Sequence, residues 1–504
     1  MIEINPARFK TPPFAHQVVG TKAIVTNNNF AIFDEMGAGK TKQVVDAACV
    51  LYDAGEIDTV IIACPAQVKT VWLNPEFGEV AKHAWMPSTV QEYSARYSSL
   101  TFSSNSLNWV VVSYEFLRQE IRLTNLITRL RQFKRKTLLV LDESIFVKNP
   151  KAVQTRACWE LRKVCQRAVL LNGTPISNNP LDLYAQFAVL DKSILGFKNY
   201  FAFRNHHAKM GGYLGKQVVG FVNLPELQTK LKPFVLRRLK EDCLDLPPKL
   251  FTQITCTLSP ATWKIYRSMR DDMVVWLDQA SVSEASQAAV KSMRLSQITS
   301  GFLGGVVETI EADEDTNLFN PDAILQKQPP KEIGDEKLRV FMEWLEERLG
   351  EDPNFRVVVW CRFRAELNRA FDHVVKTYPQ LTVVKIQGGQ KKKDREAAIE
   401  EFQVKDNGPA VLFGNPQAGG FGLTMTKAHT VVYLSNDYNL LTRLQSEDRV
   451  HRPGQIHKVT YVDVLAVGPE GQKTVDNVIV RALRKKEDIS KMTTEQWRSA
   501  LLEE

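Results

Sequence analysis

Two glycines, a lysine and a hydroxyl stand close together in the run FDEMGAGKTKQVV, as Gly37, Gly39, Lys40 and Thr41. These types at this spacing suit a chain of phosphates. The glycines let backbone N–H groups, including that of Ala38, approach an anion; the ammonium reaches the outer phosphates, and the hydroxyl fits a magnesium ion riding on them. The usual pattern opens with a glycine where this chain has Asp34. Further on, LLVLDESIFVKNP carries Asp142 and Glu143, adjacent carboxylates able to divide the work of phosphoryl transfer to water. Asp142 would anchor magnesium while Glu143 orients or deprotonates the attacking water. LLNGTPISNN sets Gly173, Thr174 and Pro175 in a sharp turn whose hydroxyl is placed to hydrogen-bond those carboxylates. In QSEDRVHRPGQ, Arg449 and Arg452 are three apart; at helical spacing their guanidiniums share a face and suit charge developing on a γ-phosphate. The plainer readings are an ordinary Asp-Glu turn for the first pair and a salt-bridged helix end for the second.

The elements around these residues fit that chemistry. Phe30 to Phe33 is a short apolar run, and Val44, Val45, Ala48 and Leu51 recur at helical spacing after the glycines, so the segment reads as strand, tight loop and helix. The positive end of the helix dipole then faces the anion. Runs rich in β-branched residues recur at 59–63, 109–113, 137–141 and 168–171, and again at 356–360, 381–386, 410–413, 430–434 and 459–464. Separated by helix-length segments, they predict two α/β parallel sheets, with ligands at the carboxyl ends of the strands. The expected organisation is a first lobe over 1–235 with a helical insertion at about 191–232. A second lobe over 236–475 carries a helical, polar insertion at about 258–333, and a helical extension follows over 476–504.

Composition sets outer limits. At 504 residues the length prior is about three domains, and 44% hydrophobic content supplies real cores. No apolar run approaches the roughly 18 residues of a membrane span, and the first fourteen residues lack a signal-peptide pattern, so the expectation is a cytoplasmic (in a bacterial or phage setting, nucleoid-associated) or nuclear protein. The seven cysteines form no CxxC pair and read as reduced packing residues. The net charge of +8 is a weak pointer to a polyanion. Basic groups at 129–136, 391–393 and 481–486 each read, singly, as solvated faces. Pro321-Asp322 with Asp335-Glu336-Lys337 spells a short nuclease-like pattern of a kind that arises freely by chance.

Taken in order, the motifs resemble the Swi/Snf-type DNA translocases, a family of superfamily-two helicase-like ATPases. DEMGAGKT is similar to that family's DEMGLGKT, which accounts for Asp34. AHQVVG, IIACPAQVKTVWLNPE, VVSYEFLR, LDESIFVKN, LNGTPISNNPLDLYAQF and FVLRRLKEDCLDLPPK follow in the family's order, and RVVVWCRF, VKIQGGQKKKDREAAIEEF, GNPQAGGFGLTMTKAHTVVYLSNDYN and DRVHRPGQ complete the series. Coverage runs from about Phe14 to Val464. The resemblance implies two RecA-like lobes, ATP with Mg2+, and a compact motor without accessory domains. It implies that Gln17 contacts adenine and that Gly422 belongs to the nucleotide site. It also implies double-stranded DNA held by its backbone, with Lys69, Thr70, Arg118, Arg362, Gln387 to Gly389 and Gly419 to Gly422 as contacts, although each of these singly fits a solvated loop as well. Two departures leave the chemical groups intact, Ala38 for leucine and Pro453 for isoleucine; Ile145 stands where the family has histidine and cannot hydrogen-bond to the arginine motif. The expected activity is ATP-driven translocation on duplex DNA that remodels DNA or protein–DNA complexes, with forks and branched junctions among the candidate substrates. A strand-separating or branch-migrating helicase and a nucleotide-switched DNA-binding scaffold are the alternatives.

Overall fold

The computed structural model describes residues 2–176, 180–211, 217–279, 285–304, 330–404, 408–417 and 424–484. The chain divides into two compact units, the first running to Asp245 and the second starting at Leu246.

The first unit is built on β1 (Asn29–Ile32), β2 (Thr59–Cys64), β3 (Ser88–Tyr93), β4 (Leu107–Ser113), β5 (Thr137–Asp142) and β6 (Arg167–Leu171). A hairpin of β7 (Ala208–Gly211) and β8 (Gln217–Phe221) follows, then β9 (Val235–Leu236). The sheet order is β3-β4-β2-β5-β6-β1-β9, all parallel. Every residue of β2, β4, β5 and β6 is buried, which is why these strands read as unbroken apolar runs. The helix Lys40–Asp53 buries ten of its fourteen residues behind the phosphate loop.

The second unit holds β10 (Lys249–Thr257), the small pair β11 (Phe302–Leu303) and β12 (Lys331–Glu332), then β13 (Arg356–Trp360), β14 (Thr382–Ile386), β15 (Ala410–Gly414), β16 (Thr430–Tyr433) and β17 (Val459–Val467). Its six-stranded sheet runs β10-β17-β16-β13-β15-β14, again all parallel. Side chains alternate across β13: Val357 and Val359 enter one core with Phe341, Leu367 and Phe413, while Val358 and Trp360 enter the other with Phe402, Met425 and Tyr461.

Three places differ from the sequence reading. The division falls after Asp245 rather than after 235, because Val235 and Leu236 pair with Ala31 and Ile32 and add a strand to the first sheet. β10 is absent from the runs read as strands; it is an edge strand whose residues are mostly exposed, so KLFTQITCT shows no apolar run. The segment 191–232 holds the β7–β8 hairpin as well as the helices Tyr200–His207 and Leu224–Leu231. Within 258–333 the helices Pro260–Gln279 and Ala285–Thr299 are present, and 305–329 lie outside the described residues. At the far end, 475–484 is helical and packs Val475, Ile479 and Leu483 into the second unit's own core; the rest of the expected extension lies outside the described residues.

Candidate functional site

The phosphate loop follows β1. Gly37 and Gly39 have φ of 80° and 76°, the left-handed region that glycine enters without a Cβ penalty. Gly39 caps the helix that begins at Lys40, and Thr41 stands at that helix's second position. A Cβ on Gly39 would lie 2.2 Å from Gln17 Nε2, so the absence of a side chain lets Gln17 come against the loop. Gln17 Oε1 accepts from Phe14 N at 3.0 Å, and the His16 ring meets Ala38 O at 2.8 Å, docking the helix Ala15–Thr26 on the loop. Lys40 Nζ donates to the carbonyls of Asp34 (2.9 Å) and Glu35 (3.2 Å), neutral acceptors that phosphate oxygens outcompete.

Asp142 ends β5, buried, and its two oxygens are already directed: Oδ2 accepts from Trp72 Nε1 at 2.9 Å and Oδ1 from Glu143 N at 3.1 Å. Burial pushes this carboxyl up, while the Trp72 hydrogen bond and the Lys40 charge work in the opposite direction. Glu143 adopts φ 53°, a left-handed conformation that costs a non-glycine residue about 1–2 kcal/mol and is typical of side chains aimed for a purpose. The turn after β6 is tied to both neighbours. Thr174 N donates to Asn172 Oδ1 at 2.9 Å, and a Cβ on Gly173 would lie 2.4 Å from Met36 Cγ, so the turn touches the phosphate loop. Ser144 Oγ donates to Gln186 Oε1 (2.7 Å), whose Nε2 donates to Pro175 O (2.8 Å), joining the carboxylate loop to the turn. β5, β6 and β1 are adjacent strands, so three motifs far apart in sequence end at one edge of one sheet.

The donor set fits a nucleotide carrying magnesium. Gly37 and Gly39, both left-handed, shape the loop ahead of the helix N-terminus, and the described residues contain no cluster of three or more His, Cys, Asp or Glu able to cage an ion by themselves. A magnesium ion whose shell phosphates complete asks the protein for only one or two oxygens, of the kind that Thr41 and Asp142 carry.

Sequence reasoning missed how the loop is held. Phe33 N donates to Leu236 O (2.8 Å) and Glu35 N to Arg238 O (2.9 Å); Arg238 Nε donates to Asp34 Oδ1 (2.9 Å) and Arg237 Nη1 to Phe33 O (2.9 Å). Asp34 is fully buried. The sequence signal for this contact is the double arginine of FVLRRLKED. The other first-unit candidates are engaged elsewhere: Lys69 Nζ pairs with Glu92 Oε1 at 2.5 Å, and Arg118 Nε donates to Gln154 Oε1 at 3.0 Å. Ile145 is only 4% exposed and presents no polar group.

In the second unit the helix carrying the arginine motif ends at Glu447, so Arg449 and Arg452 do not share a helix face. Turn bonds take over, with Val450 N on Glu447 O at 3.2 Å and Gln455 N on Arg452 O at 2.9 Å, and Gly454 has φ 96°. Arg449 is buried, whereas Arg452 is half-buried and oriented by Asp448, whose carbonyl accepts from its Nε at 2.8 Å. Arg443, not singled out from sequence, lies 3.6 Å over the Tyr433 ring and pairs with Asp463 (2.6 Å) and Glu447 (2.8 Å). Burial works against the Glu447 carboxylate, yet Lys249 and Arg443 hold its pKa below the usual carboxylate range.

A cleft of about 390 Å³, mouth included, opens at the carboxyl ends of β13, β15 and β16. Arg362, Asn415, Gln417, Ser435, Asp437 and Asn439 are among its lining residues. Ser435 Oγ accepts from Arg362 N at 2.8 Å, and the Arg362 guanidinium is 3.7 Å from Asp437. Gln387 and Gly388 follow β14 and are not in this lining; Arg364 Nη2 donates to Gly388 O at 2.6 Å. Gly419, Gly420 and Gly422 lie outside the described residues. Of the nuclease-like pattern, Lys337 is buried against Asp476 at 2.7 Å and Glu336 Oε1 accepts from Ser259 N at 2.9 Å, while Pro321-Asp322 lie outside the described residues.

A phosphate loop, a carboxylate pair and a glycine-threonine turn on one parallel sheet, with a second parallel α/β unit behind them in sequence, define a P-loop protein of the helicase-like class. The SNF2-related domain matches residues 20–302 and the helicase conserved C-terminal domain matches 336–454, and the chain belongs to the SNF2-related family. It is 25% identical over 523 residues to human TATA-binding protein-associated factor 172, covering 93% of this chain and 27% of that protein. It is 25% identical to an uncharacterized ATP-dependent helicase of Mycoplasma genitalium (95% of this chain, 42% of that protein). It is 26% identical to the Caenorhabditis elegans homolog of SWI/SNF-related matrix-associated actin-dependent regulator of chromatin subfamily A-like protein 1 (93% and 59%). The chain thus spans between about a quarter and three fifths of these relatives' lengths. Among solved structures it is similar to the Sulfolobus solfataricus SWI2/SNF2 ATPase core in complex with dsDNA, at 22% identity and a TM-score of 0.43, covering 99% of this chain and 98% of that one. No helix among the described residues is long and apolar enough to cross a membrane.

Proposed function

We propose that the chain is a DNA-dependent ATPase that uses ATP hydrolysis to move along double-stranded DNA and remodel DNA or its protein complexes. The observation that carries this reading is the meeting of the Lys40 loop, Asp142–Glu143 and the Thr174 turn at the ends of three adjacent strands. In this mechanism Lys40 leaves the carbonyls of Asp34 and Glu35 for the outer phosphates, and the loop N–H groups of Gly37, Ala38 and Gly39 cradle them. Gln17, held against Gly39, meets the adenine. Thr41 and Asp142 would hold magnesium, which would neutralise charge on the phosphates. Trp72 fixes the direction of Asp142, and Glu143 orients the attacking water and takes its proton. Within the second unit Arg452, half-buried and held at Nε by Asp448, is the candidate for the fixed positive charge that phosphoryl transfer uses, and Arg449 is buried.

The duplex is gripped through phosphates, by Arg362 at the second unit's cleft together with Lys69, Arg118, Gln387, Gly388, Gly419 and Gly420. Such contacts carry no sequence information and weaken steeply with salt, as tracking requires. Forked and branched DNA are candidate substrates of the same grip. The deciding experiment measures ATP turnover with no nucleic acid, single strands, duplex, forked DNA and RNA. Duplex is expected to stimulate most; turnover indifferent to duplex overturns the reading. Triplex displacement without strand displacement marks a translocase, and unwinding without triplex displacement a strand-separating helicase.

A further inference from the structure

The carboxylate at position 34 stands where phosphate loops usually carry a glycine, and it is fully buried. It accepts from Arg238 through Nε (2.9 Å) and Nη2, and from Gln43 Nε2 at 3.0 Å. The same guanidinium donates from Nη1 to His16 O, and the His16 ring holds Ala38 O of the loop at 2.8 Å. A Cβ on Gly20 would lie 1.7 Å from Gln43 Oε1 and 3.1 Å from Arg238 Nη2, so the helix Ala15–Thr26 gives up a side chain to make room for this cluster.

The backbone repeats the pattern. Beyond the β1–β9 pairing, Phe33 N meets Leu236 O and Glu35 N meets Arg238 O, and Lys240 N donates to Glu35 Oε2 at 2.8 Å. Arg237 Nη1 reaches Phe33 O at 2.9 Å and Gly173 O at 3.3 Å, touching the glycine-threonine turn as well. Every residue from Phe33 to Glu35 is therefore fastened to the segment 236–240 through backbone or side chain, and two of those residues, Asp34 and Glu35, supply the carbonyls that hold Lys40 Nζ.

We propose that the segment Leu236–Lys240 is a clamp that sets the phosphate loop and Lys40 for nucleotide, with Arg238 and Asp34 as its positioning residues. A buried ion pair is poor material for stability alone, since apolar side chains of similar volume hold a fold as well or better. What it adds is direction: a planar guanidinium fixes the Asp34 carboxylate and a helix carbonyl at once, geometry that an ammonium does not reproduce. Arg238→Lys is therefore the informative change, because it keeps the charge and loses the fork.

This inference rests on the ATPase reading, and its test separates the two. Binding of N-methylanthraniloyl-ADP and steady-state ATP turnover are measured on the full chain for wild type, Arg238→Lys, Asp34→Asn and the double variant, with thermal unfolding of each. Both single variants are expected to weaken nucleotide binding and raise KM for ATP about tenfold, with kcat at saturating ATP changed far less. The double variant should be no worse than either single, because both remove one interaction. Singles that fold with wild-type Kd and KM overturn the clamp while leaving the ATPase reading intact, and so does a fall in melting temperature without a change in KM. A wild type that binds no nucleotide removes the ATPase reading and the clamp with it.

Discussion

Replacing Gly39 by alanine places a methyl group at a spot the geometry forbids on two counts. The residue has φ 76°, where a Cβ costs about 1 kcal/mol. The new Cβ would also stand 2.2 Å from Gln17 Nε2, and moving that amide breaks its 3.0 Å bond from Phe14 N, worth about 1 kcal/mol more. The native loop arrangement is thus disfavoured by about 2 kcal/mol, and nucleotide affinity should fall about thirtyfold if binding needs that arrangement. Titration with a fluorescent ADP measures the loss. A cycle with Gln17→Ala isolates its second part: with the amide gone, Gly39→Ala should cost about 1 kcal/mol less. Equal losses in both backgrounds, or wild-type affinity in Gly39→Ala, would refute the argument that Gly39 exists to admit Gln17.

The remaining expectations are shorter. Lys40→Ala should weaken nucleotide binding directly, read in the same titration. Glu143→Gln should bind ATP normally and stop at the chemical step, giving a stable nucleotide complex without product in single-turnover assays. Arg452→Ala should keep binding and lose turnover by about a thousandfold; near wild-type kcat removes its role in charge stabilisation. Glu447, whose pKa is lowered in the fold, contributes stability that is present above its unfolded value and lost as the pH falls through the folded one. Glu447→Gln should therefore be less stable by about 3 kcal/mol at neutral pH, and urea midpoints should converge with wild type in acid.

The apolar strands were legible because they are buried on both faces, and the same fact explains which ones were not. β3 (STVQEY) and β10 (KLFTQITCT) lie at sheet edges with much of their surface exposed, so neither carries the continuous run that betrays a central strand. The glycine loop ahead of the Lys40 helix was legible because its signal is local, with glycine, lysine and hydroxyl within a few residues of one another. The Arg238–Asp34 pair was not, since its partners are 204 positions apart and neither residue announces the other. Arg449 and Arg452 show the limit of a spacing argument, which holds only while the helix continues, and this one stops at Glu447.

The partners that basic residues keep sort their roles better than motif membership does. Arg443 is saturated by two buried carboxylates and a ring face, and Lys337 by Asp476 and the Leu434 carbonyl, so a ligand would have to break a buried ion pair to recruit either. Lys40 is held by carbonyls, whereas the half-buried Arg452 pairs through Nε with the buried Asp448 carboxylate (3.2 Å) as well as the Asp448 carbonyl (2.8 Å) and donates from Nη1 to Thr424 Oγ1 (3.4 Å). Lys40 is thus oriented in advance yet cheap to redirect toward phosphate, the condition under which fixed charge lowers a barrier, while Arg452 keeps its Asp448 pair and has Nη2 and the weakly held Nη1 to offer. Lys69 falls between: its pairing with Glu92 is about a fifth exposed, so exchange for a phosphate costs on the order of 1 kcal/mol or less, and screening by salt reduces it further. Lys69→Ala should accordingly leave basal turnover unchanged while weakening duplex stimulation and flattening its salt dependence. Stimulation with the wild-type salt slope would return Lys69 to the role of a surface ion pair.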